Sequence, residues 1–201
     1  TGKLPEGVYA RDLILTIIGE IGANGCNYQA MEFTGEGAKT LSISDRMALC
    51  NMAVEAGAKT GIFEADEKAI EYLNTAIAKD SNNPQLYDVM GRVYETGLKD
   101  YAKAEEYFKK ALAINPDYIE SLSNLGRVYY NQGVNKQGEA NMINDAKQYQ
   151  EELGKAKEFF KQALPYFEKA HQMKPEEREY MTALRGIYYN LNMGDKFDAI
   201  E

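Results

Sequence analysis

One pattern recurs in phase along the last two-thirds of the chain and limits what it can become. Tyr87-x2-Met90-Gly91-x2-Tyr94 returns as Leu122-x2-Leu125-Gly126-x2-Tyr129 and again as Met181-x2-Leu184-Arg185-x2-Tyr188. Interleaved with it, Ala69/Leu73/Ala76, Ala104/Phe108/Ala111 and Ala163/Phe167/Ala170 repeat a small-large-small motif at helical spacing. Met90 to Leu125 and Ala76 to Ala111 are both 35 residues; Leu125 to Leu184 and Ala111 to Ala170 are both 59. Self-similarity at a fixed period is the signature of stacked helical hairpins, each burying the face that its neighbour exposes. The small positions allow two helices to approach, and the large ones fill the space between them.

The pattern resembles the tetratricopeptide family, whose period is about 34 residues. One extra residue is expected in the turn at Gly97–Asp100. The 59-residue interval places a 25-residue insertion, Val134–Glu158, in the hairpin that follows Gly133. Tyr149, Leu153, Ala156, Phe160, Leu164 and Phe167 carry a 3-4 spacing through that insertion. A turn at Gly133–Gly138 and one long helix over about 142–173 are therefore expected. The resemblance implies a concave groove for a peptide or protein, faced by Arg92, Glu95, Arg127, Tyr130, Asn131, Tyr189 and Asn190. The family's carboxylate clamp needs Lys and Asn at set positions, which here read Asp88 and Arg92, then Ser123 and Arg127, so a clamp is not expected.

The first third follows a different rule. Leu13, Ile14, Ile17, Ile18 and Ile21 mark a helix with a wide apolar face, stopped by Gly22 and Gly25. Residues 28–34 alternate as a strand, with Gly35-Glu36-Gly37 as a turn. Ser42 caps the next helix with Asp45 at its third position, and that helix buries Met47, Leu49, Cys50, Ala53 and Val54 before ending at Gly57. Thr60–Phe63 forms a second strand, and Asp66 caps the helix that follows. Two strands joined through a helix lie parallel. A two-stranded parallel sheet wants cover on both faces.

DLILTIIGEIG, AMEFTGEG and LSISDRMALCNMAVEAGAKTGIFEADEKAIEYL resemble an internal slice of the 3-isopropylmalate dehydratase large subunits, in the aconitase family. The likeness runs from about Leu4 to Leu73. It implies that Asn51 and Glu55, in the CNMAVE motif, descend from polar active-site positions beside an iron–sulfur cluster. The cysteines that hold the family's [4Fe–4S] cluster lie outside this slice, so no cofactor and no hydro-lyase activity are expected. Asn51 and Glu55 then read as relics on a helix surface.

Charge excludes further classes. Residues 1–66 carry 5 basic and 9 acidic side chains and the remainder 18 and 22, so each part sits at −4 and the chain at −8. Neither part suits a phosphate backbone or an anionic membrane surface. Cys26 and Cys50 are too few for a disulfide framework and lack metal-ligand spacing, which fits reduced thiols in the cytoplasm. His171 stands alone and reads as a packing or surface residue. The expectation is mixed α/β plus all-α: an aconitase-like α-β-α-β-α fragment over 1–66, a shared junction helix over 66–80, and tetratricopeptide repeats over 81–201. An enzyme slice that runs in phase into repeats reads as an engineered scaffold. It requires no partner, with a peptide-binding adaptor as the alternative and hydro-lyase activity as the weakest reading.

Overall fold

The computed structural model describes residues 2–200. It separates into two compact units, one up to Thr75 and one from Ala76 onward, with the boundary inside a continuous helix.

The first unit runs α1 (Ala10–Ile21), β1 (Ala30–Phe33), α2 (Gly35–Thr40), α3 (Ile43–Met52) continued by a 3-10 turn over Ala53–Ala56, β2 (Thr60–Phe63) and the start of α4 (Glu67–Lys79). β1 and β2 pair in parallel, with Ala30 opposite Thr60 and Phe33 opposite Phe63. The rings of that last pair stack with centroids 4.8 Å apart. Ile14, Leu49, Ala53 and Ala56 are wholly buried around Met31 and Leu41. Gly61 brings β2 onto α3, since a Cβ there would lie 2.6 Å from the Cys50 Cα. Gly57 ends the helical run in the left-handed region (φ 82°), as its sequence position foretold. The cap on α3 is reciprocal: Ser42 Oγ accepts from the Asp45 N–H and the Asp45 carboxylate accepts from the Ser42 N–H, both at 3.1 Å.

Several expectations are corrected here. Tyr28 lies outside the strand at φ 63° and is 89% exposed, because a tight turn carries the chain from α1 into β1. Gly35-Glu36-Gly37 opens α2 instead of a turn. Ile21, Met47 and Val54 are exposed, since α1 and α3 bury narrower stripes than their composition suggests. α4 has no fully buried residue, and Ala69, Ile70, Leu73, Ala76 and Ile77 are only half-buried.

An unforeseen ion pair sits at the start of α4. Arg46 is 6% exposed, and its Nη2 donates to Asp66 Oδ2 at 2.6 Å while its Cζ lies 5.6 Å from the Phe63 centroid. Asp66 Oδ1 also accepts from the Ala69 N–H at 3.3 Å, the capping role read from the sequence. Its hydrogen bond from Arg46 holds the Asp66 carboxyl below the usual carboxylate range.

The second unit continues with α5 (Pro84–Arg92), α6 (Tyr101–Ile114), α7 (Ile119–Ala140), α8 (Ala146–Met173), α9 (Arg178–Asn190) and α10 (Gly194–Ala199). These are the predicted tetratricopeptide hairpins. The extra residue of the 35-residue interval enters earlier than expected, in a π-helical turn over Val93–Gly97 that closes through Lys99 at φ 54°. The insertion divides between two helices. α7 runs through Gly133–Gly138 to Ala140, and α8 begins at Ala146, four residues after the expected start. Gly133 makes no turn because it is a packing position: a Cβ there would meet the Phe160 ring at 2.9 Å. α8 also passes through Pro165, which leaves the Lys161 carbonyl without its helical donor.

Gly91 and Gly126 make the equivalent approaches, with a Cβ 2.5 Å from Phe108 and 2.9 Å from Phe167. Gly154, by contrast, faces open space inside α8. Gly91→Ala is therefore expected to destabilise the repeats by about 1–3 kcal/mol through overpacking. Gly154→Ala is expected to stabilise them by up to about 1 kcal/mol through helix propensity. Urea unfolding of the two variants reads the opposite signs directly.

Candidate functional site

Asn51 lies in the last turn of α3 and Glu55 in the 3-10 turn that follows, and both are exposed. Cys50, beside Asn51, is turned inward against Gly61, and burial pushes its thiol up. Cys26 is half-buried, and its N–H donates to the Ala56 carbonyl at 2.9 Å. Iron–sulfur clusters are held by several thiolates. This chain has two cysteines, and the described residues contain no group of three or more His, Cys, Asp or Glu placed to hold a metal. Its donor set does not fit such a cluster. His171 is half-buried in the last turn of α8, and its Nδ1 meets no partner among the described residues.

The repeats present a more developed site. α7 and α9 enclose a cleft of about 400 Å³ lined by Arg127, Tyr130, Asn131, Phe167, Arg178, Glu179, Thr182 and Ala183. Of the seven groove positions read from the sequence, Arg127, Tyr130 and Asn131 line it, while Arg92, Glu95, Tyr189 and Asn190 do not. Tyr130 packs edge-on against Phe160 at 5.6 Å. A Cβ at Gly186 would lie 2.5 Å from the Tyr130 hydroxyl, so glycine admits that hydroxyl against α9. Tyr189 is 71% exposed, with its ring 6.3 Å from Phe197 of α10. Asn190 accepts from the Gln137 side-chain amide at 2.9 Å and donates to the Gly186 carbonyl at 2.8 Å.

Much of the polar chemistry on these helices is internally matched. Arg127 Nε and Nη2 donate to the two carboxylate oxygens of Glu95, at 3.1 and 2.8 Å, and Glu95 is 6% exposed. This fork-to-fork pair ties the π-helical turn after α5 to α7, and its hydrogen bonds hold the Arg127 guanidinium charged. About two helical turns before Glu95, Asp88 is 2% exposed and its Oδ1 accepts from Ser121 Oγ at 2.8 Å and Asn124 Nδ2 at 2.9 Å. Burial pushes the Asp88 carboxyl up, and these two donors pull it part of the way back. The sequence pattern contained Asp88 and Glu95 but gave no sign that they would be buried. Their partners lie 32 to 36 residues away, one repeat further on.

The aconitase family (aconitate hydratase) matches residues 1–182. The chain belongs to that family. The 3-isopropylmalate dehydratase large subunit 1 of Methanopyrus kandleri is 59% identical over 73 residues, 36% of this chain and 18% of that protein. The large subunit of Clostridioides difficile is 46% identical over 110 residues, 52% of this chain and 25% of that protein. The chain thus spans a quarter or less of the length of these relatives. Among solved structures, the MamA protein aligns with a TM-score of 0.50 and 16% identity, covering 81% of this chain and 71% of that one. An IFIT1 monomeric mutant with Gppp-AAAA aligns at 0.51 and 20%, covering 76% and 31%. At such identities the likeness speaks for the helical-repeat fold alone.

The Asp88 network yields a test. Asp88→Ala leaves the Ser121 and Asn124 donors buried without an acceptor, and is expected to cost about 1–3 kcal/mol. Asp88→Asn keeps an acceptor oxygen and removes the buried charge, so it is expected to cost less at pH 7. The carboxyl's folded value is raised, so the wild type should gain stability, relative to Asp88→Asn, as pH falls toward the usual carboxylate range. Urea midpoints of the three proteins at pH 7 and pH 4.5 check both statements.

Proposed function

We propose that this chain is a non-catalytic scaffold, an engineered hybrid in which an aconitase-family segment over residues 1–66 is joined through the helix over 66–80 to repeats over 81–201. The exposure of Asn51 and Glu55 carries the reading. General acid–base chemistry uses groups held within hydrogen-bond reach of a substrate in a site that excludes water. Here the two positions that the family resemblance makes catalytic lie open to solvent. The seam supports it too. α4 runs unbroken from Glu67 to Lys79 and carries Ala69, Leu73 and Ala76 of the repeat pattern inside a stretch that also matches the enzyme family.

Anaerobic reconstitution with iron and sulfide, followed by metal analysis and an assay of 3-isopropylmalate hydration and dehydration, tests this function. The expected result is no stoichiometric cluster and no turnover above buffer. A bound cluster with turnover overturns the reading.

The cleft between α7 and α9 favours a second reading, an adaptor for a peptide or protein. Arg127 is a poor probe of it, because Arg127→Glu would set a second carboxylate against the buried Glu95. Asn131 and Arg178 line the same cleft and are exposed, so their variants report binding more cleanly.

A further inference from the structure

The cleft between α7 and α9 holds charge, but little of it is free. Arg127 gives Nε and Nη2 to the two oxygens of Glu95, which is 6% exposed, so its charge is already matched where it meets the cleft. Arg178 and Glu179, adjacent on α9, are of opposite sign. Arg127 and Arg178 against Glu95 and Glu179 sum to zero, in a chain of net charge −8. Nothing in that balance selects an anionic ligand. What remains is an apolar floor and one two-way polar group. Phe167 is 3% exposed at the cleft, with Tyr130 and Ala183 half-buried beside it. Asn131 lines the same cleft and is exposed, whereas Asn124 is engaged by Asp88 and Asn190 by Gln137 and the Gly186 carbonyl. A carboxamide offers an acceptor oxygen and N–H donors together, so it can pair with both the N–H and the C=O of a peptide backbone.

We propose that the cleft takes an internal, uncharged stretch of extended peptide, and that it is indifferent to a carboxylate. The Asn131 carboxamide pairs with the peptide backbone, and one apolar side chain lies on Phe167, Tyr130 and Ala183. Glu95 is a positioning residue: by matching the Arg127 charge from behind, it removes the anion preference that a free guanidinium would give. This inference rests on the adaptor reading of the same cleft and names the class of peptide that it would hold.

The probe is the blocked pentapeptide acetyl-Gly-Ala-Leu-Ala-Gly-amide, compared with the same peptide ending in a free carboxylate and with one carrying Ser in place of Leu. Each is titrated into the full chain while NMR follows the Asn131 side-chain amide and the Ala183 methyl. The expected result is a saturable shift of both signals by the blocked peptide, with a Kd on the order of 1 mM for so short a ligand. The free acid should bind within about twofold of it, and the Ser peptide about tenfold more weakly. Asn131→Ala should weaken the blocked peptide about tenfold in a protein whose melt is unchanged. In Glu95→Gln the free acid should gain about fivefold over the amide, a change of preference that mere loosening of the repeats would not produce. A free acid that binds the wild type tenfold tighter than the amide, at the same two signals, overturns the proposal and leaves the adaptor reading standing. Unchanged binding by Asn131→Ala also overturns it. No saturable shift with any of the three peptides overturns the proposal and the adaptor reading together.

Discussion

A backbone meets a neighbouring ring or chain at van der Waals distance only where no Cβ stands between them. Both units of this protein are built on that constraint. In the repeats, Gly91, Gly126 and Gly133 each receive a phenylalanine from the second helix of the same hairpin. In the first unit, Gly61 receives the Cα of Cys50 and sets β2 against α3. The contacts gain little individually, but they fix the interhelix and helix–strand distances at which Phe108, Phe160, Leu49 and Ile14 become fully buried. Gly133 extends the device into the insertion, so the long α7–α8 hairpin is packed by the same rule as the shorter ones.

Close packing brings polar side chains inside with it, and their pairing decides what is left for a ligand. Asp88 on α5 and Glu95 in the π-helical turn that follows are buried against donors from α7. A buried charge is tolerated when it is paired and hydrogen-bonded, and its removal leaves the partner stranded. The groove face between α5 and α7 is therefore largely engaged with itself, while the cleft between α7 and α9 keeps Asn131 and Arg178 exposed. Arg46 and Asp66 play the corresponding part in the first unit.

The repeat positions and the strand–helix–strand order were legible because each depends on local spacing. Ala104, Phe108, Ala111, Ala163, Phe167 and Ala170 are buried where the period placed them. The Ser42–Asp45 cap and the Gly57 terminus are equally local. What escaped the sequence depends on partners far along the chain. Gly133 reads as a turn residue until Phe160 is seen beside it. Asp88 and Glu95 read as surface acids until residues a repeat away supply their donors. Arg46 has no periodic signature at all, since its burial follows from Asp66 and Phe63 arriving around it. The apolar stripe of α4 was legible as a stripe, but its half-burial was not, because period does not report how completely a face is covered.

Exposure is what sets the proposed function apart from the family's. The first unit retains the sequence of an enzyme family closely enough to be 59% identical to one member over 73 residues, yet its two resemblance-derived catalytic positions face solvent. Whether those positions still recognise substrate is the most direct test of the non-catalytic account. Amide NMR of the isotopically labelled chain, titrated with 3-isopropylmalate, reads Asn51 and Glu55 one by one. The account predicts no saturable shift at either residue up to millimolar ligand. A saturable shift confined to Asn51, Glu55 and their neighbours would contradict it.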